Sequence, residues 1–163
     1  LKEASDEALG KHEEKKKAPS VHFGGHAFIS SEYVPVEDDR LYFYQRLSEA
    51  ENTSQIKDIL SELKDRFGRL PGPTSSLFSV ARMRISLVGS SVQTLKIMSS
   101  FCSFVLCSFF PFSSVKSIED KISAKKPSYK IKEKDGDIII SISEPNISAS
   151  LKTARYFINL FRV

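Results

Sequence analysis

The stretch DRFGRLPGP, residues 65–73, decides how the first half of the chain is read. Upstream of it Ile56, Ile59, Leu60, Leu63 and Phe67 recur at i, i+3, i+4, i+7 and i+11, an amphipathic helical stripe. Asn52 and Gln55 form a capping-box pattern at its start. Gly68 stands where a left-handed C-cap residue belongs, and Pro71 prevents continuation. Within this helix Asp65 is badly placed. A carboxylate in the last turn meets the negative end of the macrodipole, a penalty of roughly 0.3–1 kcal/mol. Asp58, Glu62 and Asp65 follow at i, i+4 and i+7 on one face, where like charges repel by roughly 0.2–0.5 kcal/mol per pair. Lys57, Lys64 and Arg66 offset part of that. The stripe is either an ordinary solvated face or an acidic docking strip for an Arg-bearing partner.

On the N-terminal side, YVPVEDDRLYFYQRLSEAE (33–51) carries Pro35, which cannot lie inside a helix, and Asp38, which can cap the helix after it. Leu41, Tyr44 and Leu47 recur at helical spacing and are expected to be its buried face. SVHFGGHAFI (20–29) reads as strand-like, with its Gly pair marking a bulge or an irregular crossing. Residues 1–20 read as a charged helical tail and linker, and 21–163 as one domain.

On the C-terminal side, PGPTSSLFSVARMRISLVG (71–89) starts a helix with Pro73 in its first turn and Gly89 at its end. Leu77, Phe78, Val80, Ala81, Ile85, Leu87 and Val88 occupy more than one face, which implies a helix with neighbours on both sides. VQTLKIM (92–98) and the apolar run from Phe101 are strand candidates separated by Ser99-Ser100. SSVKSIEDKIS (113–123) is a short helix facing inward through Val115, Ile118 and Ile122. SYKIKEKDGDIIISIS (128–143) is a hairpin turning at Asp135-Gly136, a type I′ signal. NISASLKTARYFINLF (146–161) closes as a helix facing inward through Leu151, Ala154, Ile158 and Phe161. The fold class is α/β in the α+β sense: helices packed on a small mixed or antiparallel sheet in a single domain.

Composition narrows the chemistry. With 163 residues, 40% hydrophobic and 27% charged, the chain suits one ordinary soluble core. The apolar run Phe101–Phe112, interrupted by serines, is shorter than the roughly 20 residues of a bilayer span and reads as a buried strand. Cys102 and Cys107 make no disulfide framework and lack C-x-x-C spacing, so a reduced, cytoplasmic setting is expected. His12, His22 and His26, the last two in HFGGH, have no companion Cys or carboxylate at zinc spacing. No phosphate-cradling G-x-x-x-x-G-K-[ST] motif occurs, and DEAL at 6–9 lacks the preceding buried strand that a Mg²⁺-binding Asp-Glu box requires. No nucleophile–base set stands out, and no catalysis or cofactor is expected of the chain itself.

Charge is divided unevenly. Residues 1–70 hold 11 Lys/Arg against 14 Asp/Glu, a net −3; residues 71–163 hold 13 against 6, a net +7. The basic half concentrates Lys125, Lys126, Lys130, Lys132 and Lys134 around the hairpin. These either guard an edge strand against unwanted pairing or contact nucleic acid, with Tyr129 as the single interleaved aromatic.

YVPVEDDRLYFYQRLSEAE, ELKDRFGRLPGP and LFSVARMR, in that order over residues 33–84, resemble the C-terminal domain of bacterial transcription-repair coupling factor. The pattern there is Tyr-Ile-Pro-Asp, Arg-Leu, Tyr-Lys-Arg, Asp-Arg-Phe-Gly-x-Leu-Pro and Ala-Arg-Leu-Arg. Val36 stands where that pattern has Asp, and Gln45 where it commonly has Lys. LKEASDEALG (1–10) is similar to the stretch leading in from the family's translocase module. The resemblance implies a non-catalytic domain of an ATP-driven double-stranded DNA translocase that removes stalled RNA polymerase and recruits UvrA, with ATP and Mg²⁺ held in the translocase module. It implies packing against the N-terminal UvrA-binding module of the same protein, hiding that surface. It also implies that Glu62 and Asp65, in the family's E-L-x-D-R-F-G segment, contribute to the clamp, so that an Arg on another domain would compensate Asp65. Asp58 joins them by spacing alone.

Overall fold

The computed structural model describes residues 19–107, 110–126 and 128–161. All but the end of the expected 1–20 tail lies outside the described residues. In chain order the elements are β1 (Ser20–Phe23), α1 (Glu37–Glu49), α2 (Thr53–Phe67), α3 (Gly72–Leu87), β2 (Val92–Ile97), β3 (Phe101–Leu106), α4 (Phe112–Ser123), β4 (Tyr129–Lys134), β5 (Asp137–Ser143) and α5 (Ile147–Phe157). A 3₁₀ turn, Ile158–Phe161, extends α5.

The strands form one mixed sheet in the order β1-β2-β3-β5-β4, with β1 parallel to β2 and every other pair antiparallel. Side chains alternate between its faces. On one face Leu95, Ile97, Cys102, Phe104, Leu106, Ile138, Ile140 and Ile142 are buried in a core closed by Met83 and Leu87 of α3, Val115, Ile118 and Ile122 of α4, and Ala154 and Phe157 of α5. A second core holds Phe43 and Leu47 of α1, Ile56, Ile59 and Leu63 of α2, and Phe78 of α3. Helix α3 therefore faces both cores, which is why its apolar residues span more than one face.

Local chemistry explains the element ends. Asn52 accepts from the Gln55 amide at 3.0 Å and Gln55 returns to the Asn52 amide at 3.3 Å, a complete capping box contributing about 1 kcal/mol. Gly68 closes α2 at φ 82°, ψ −150°, a conformation confined to glycine rather than the left-handed helical one expected. Asp135 (φ 53°) and Gly136 (φ 83°) make the hairpin turn in the type I′ sense. At Gly24 a Cβ would lie 2.6 Å from the Met98 sulfur, so the glycine pair marks a close crossing where the chain leaves β1.

Four further expectations are corrected. Leu41 is 58% exposed, and Phe43, fully buried, takes its place on the inner face of α1. Asp38 does not cap α1: the N-cap is Val36, and Asp38 lies in the first turn. Val88, expected among the packed residues of α3, is 66% exposed beyond its end. The buried strand expected over Phe101–Phe112 ends at Leu106, and α4 begins at Phe112.

Candidate functional site

The seam between α1 and α2 is a charged network. Arg46 on α1 donates to the Glu62 carboxylate on α2 and to the Tyr42 hydroxyl at 2.9 Å, with its guanidinium over the Tyr42 ring. Arg66 donates to Asp39 at 2.7 Å, approaches Glu62 at 3.7 Å, and lies over the Phe43 and Phe67 rings. Hydrogen bonding to Glu62 holds Arg46 above the ordinary guanidinium range, and bonding to Asp39 does the same for Arg66. Glu62, half-buried, is thus occupied by two arginines of its own chain.

Asp58 and Asp65 differ from it. Both are exposed, and among the described residues neither is in an ion pair. Beside Asp58 a shallow hollow of about 210 Å³ is lined by Arg46, Glu49, Ala50, Gln55, Asp58 and Ile59. The acidic stripe therefore has a neutralised centre and two free ends, about 10 Å apart along the helix.

Residues that sequence reasoning did not single out hold this seam in place. Arg84 of α3 donates to the carbonyls of Ser48 (2.7 Å), Ala50 (2.9 Å) and Leu47 (3.0 Å), satisfying the C-terminal end of α1. Arg40 donates to the carbonyls of Val34 and Pro35, both at 2.8 Å, fixing the entry to α1. Tyr33 donates to the Gly68 carbonyl at 2.9 Å, joining the start of α1 to the end of α2, and burial raises its phenol above the ordinary range. The available signal was the recurrence of Arg and Tyr within the YVPVEDDR and ARMR motifs; the carbonyls that Arg40 reaches lie in its own motif, whereas those of Tyr33 and Arg84 are more than thirty residues away.

The basic set does not act as one. Lys130, Lys132 and Lys134 are exposed on β4, an edge strand. Lys126 instead bonds the buried Glu144 carboxylate at 2.8 and 3.1 Å, and Thr153 donates to the same group. Lys125 lies over the Tyr156 ring, 4.6 Å from its centroid. Tyr129 points to α4, donating to Glu119 at 2.9 Å, and that bond raises its phenol. Burial, with the Glu144 charge nearby, pushes the Cys102 thiol up to about 12. His22 is exposed on β1 and His26 packs edge-on to Phe28. Among the described residues no group of three or more His, Cys, Asp or Glu is placed to hold a metal, and no helix is long and apolar enough to cross a membrane.

The family model for the TRCF domain matches residues 23–109, more than half of the chain. The chain belongs to the TRCF domain family. Similar proteins include the transcription-repair-coupling factors of Helicobacter pylori (26% identical over 155 residues, 95% of this chain and 14% of that protein) and Staphylococcus epidermidis (29% over 98 residues, 59% and 8%). That of Escherichia coli is 36% identical over 58 residues, 36% of this chain and 5% of that protein. This TRCF chain spans a small fraction of the relatives it matches. Its fold is that of a crystal structure of the C-terminal domain of transcription-repair coupling factor, with TM-score 0.65 and 15% identity over 90% of this chain and 96% of that one. The TRCF match contains the whole α1–α2–α3 seam and ends before α4 and the hairpin.

Proposed function

We propose that this TRCF domain is the non-catalytic autoinhibitory domain of a transcription-repair coupling factor, closing over the factor's N-terminal UvrA-binding module through the acidic stripe of α2. Family membership supports the setting: a cytoplasmic, ATP-dependent DNA translocase, its ATP and Mg²⁺ held elsewhere in the protein, that displaces stalled RNA polymerase and recruits nucleotide excision repair. The observation that carries the mode of contact is the state of the stripe. Asp58 and Asp65 are exposed without ion pairs among the described residues, while Glu62 between them is fixed by Arg46 and Arg66.

A basic partner surface meets the two free acids directly. Glu62 contributes as a positioned charge whose orientation its own arginines set. Asp65 tolerates its place in the last turn because a partner cation compensates it. Such a charged contact suits a switch, since a bias of a few kcal/mol moves the population between closed and open states.

Calorimetric titration against the isolated UvrA-binding module of the same factor tests this at two salt concentrations. Asp58→Lys/Asp65→Lys is expected to weaken binding by at least about tenfold while leaving the melting temperature unchanged. Binding of the wild type should fall with salt. Equal binding by variant and wild type, or no binding by either, overturns the proposal. Glu62→Lys also breaks the internal pairs, so it is judged only beside its own melting curve.

A further inference from the structure

The face of the sheet opposite the helices contributes to neither core. Register places His22, Lys96, Ser103, Ser141 and Lys130 in one row across all five strands. The next row is Ser20, Thr94, Val105, Ile139 and Lys132, with the Ser20 and Thr94 hydroxyls 3.1 Å apart. Phe101 and Lys134 lie towards opposite ends of the same face. Its floor is small or apolar, with Phe101, Val105, Ile139 and Ser141 half-buried and Ser103 buried. Its margins are basic: Lys130, Lys132 and Lys134 on β4, Lys96 on β2 and His22 on β1. None of the five is in an ion pair among the described residues, and the carboxylate that register adds to this face is Asp137, beside Lys134.

Protection of an edge strand accounts for lysines on β4. It does not account for Lys96, which lies on the interior strand β2, nor for apolar side chains in the middle of an open face. We propose that this face is a docking trough for an amphipathic acidic helix of a partner protein, its small apolar side on Val105 and Ile139 and its carboxylates on the flanking lysines.

Dimensions agree with that occupant. Lys96 and Lys130 are separated by three strand spacings, about 14 Å, and a helix with its side chains is about 10–12 Å wide. Alternate residues of β4 step by about 6.6 Å, close to the rise of about 6 Å between helix positions i and i+4, so carboxylates at i, i+4 and i+8 keep pace with Lys130, Lys132 and Lys134. Nucleic acid suits the trough less well. A single strand asks for successive stacking platforms, and among the described residues Phe101 alone supplies a half-buried aromatic ring on the floor. Duplex phosphates have no use for the Val105–Ile139 floor. The surface is separate from the acidic stripe of α2 and does not depend on that assignment.

The test is selection of displayed helix-forming peptides of about 18 residues, five turns, against the whole chain, with Lys130→Glu/Lys132→Glu/Lys134→Glu for counter-selection. A mixed-sequence DNA duplex is titrated in parallel. Selected peptides are expected to carry an acidic i, i+4, i+8 stripe beside small apolar residues. They should shift the amide resonances of Ser103, Val105, Ile139 and Ser141, and bind the triple variant at least about tenfold more weakly. Because the three lysines are exposed, the variant should melt with the wild type. Selection of no peptide, of peptides without the stripe, or of peptides that bind the variant equally overturns the proposal. So does duplex binding at this face when no peptide binds there.

Discussion

Lys126→Met separates a structural lysine from the solvated ones beside it. The Glu144 side chain is 1% exposed, and its carboxylate is held by Lys126 at 2.8 and 3.1 Å and by the Thr153 hydroxyl. Removing the ammonium leaves a buried charge with one neutral donor. Breaking a fully buried pair costs about 3–5 kcal/mol. Lys126 is itself 36% exposed, so water reaches the vacated position and the expected loss falls to about 2 kcal/mol. For a chain of this length that lowers the melting temperature by about 4–8 °C. The control Lys130→Met, on the exposed edge of β4, should change stability by less than about 0.5 kcal/mol. Glu144→Gln in the Lys126→Met background removes the uncompensated charge and should restore about 1 kcal/mol, a coupling that distant sites would not show. Chemical denaturation of the four proteins measures all of this. A Lys126→Met protein as stable as the Lys130→Met control, or a double variant no better than Lys126→Met alone, would refute the assignment of Lys126 to the core.

Arg84→Met orphans three carbonyls at the end of α1 and should cost about 2–3 kcal/mol, with faster amide exchange across the last turn of α1; a loss under about 0.5 kcal/mol contradicts the capping role. For Cys102 the folded thiol, pushed up to about 12, keeps its proton where an unfolded one, ordinarily at 9.0, loses it. The unfolded state then binds fewer protons, so this contribution is complete below about pH 9 and is lost as the pH rises toward 12, by at most about 1.4 kcal/mol per unit. Denaturation midpoints at about pH 8 and 10.5 should therefore fall more steeply for the wild type than for Cys102→Ala, and parallel slopes would show that the thiol is not responsible.

What the sequence reveals depends on the range of the interaction. The Asn52–Gln55 box, the Asp135-Gly136 turn and the inner face of α4 are decided within a few residues, and the structure has them where pattern reading puts them. Helix α1 is different. LYFY at 41–44 offers an apolar residue at every phase, and only the neighbouring α2 and α3 select Phe43 over Leu41. Strand β3 stops short of its apolar run, and Phe110 joins the same core from beyond the strand's end. The parallel pairing of β1 with β2 joins residues more than seventy apart, beyond any local period. At the candidate site, spacing shows that Asp58, Glu62 and Asp65 share a face, but not that Arg46 occupies Glu62. Nor does charge counting show that Lys126 belongs to Glu144 while Lys130 belongs to solvent.

The resemblance is densest over residues 33–84, and the structure shows what many of those residues do. Tyr33, Arg46, Arg66 and Arg84 each reach a carbonyl or carboxylate on another segment and together fix α1, α2 and α3 against one another, while Arg40 fixes the entry to α1. A carboxylate on a free helix would sample many positions, and ordering it would consume much of what one exposed ion pair contributes. Here the stripe of α2 is ordered before any partner arrives. Glu62 is fixed by its own arginines, and Gly68, capped by Tyr33, fixes where the helix stops after Asp65. On the outer face of the sheet, backbone register rather than side-chain contact sets the spacing of Lys96, Lys130, Lys132 and Lys134. The division of −3 and +7 along the chain thus becomes two preorganised charged surfaces, one on α2 over the second core and one on the outer face of the sheet that bounds the first, with α3 shared between the two cores.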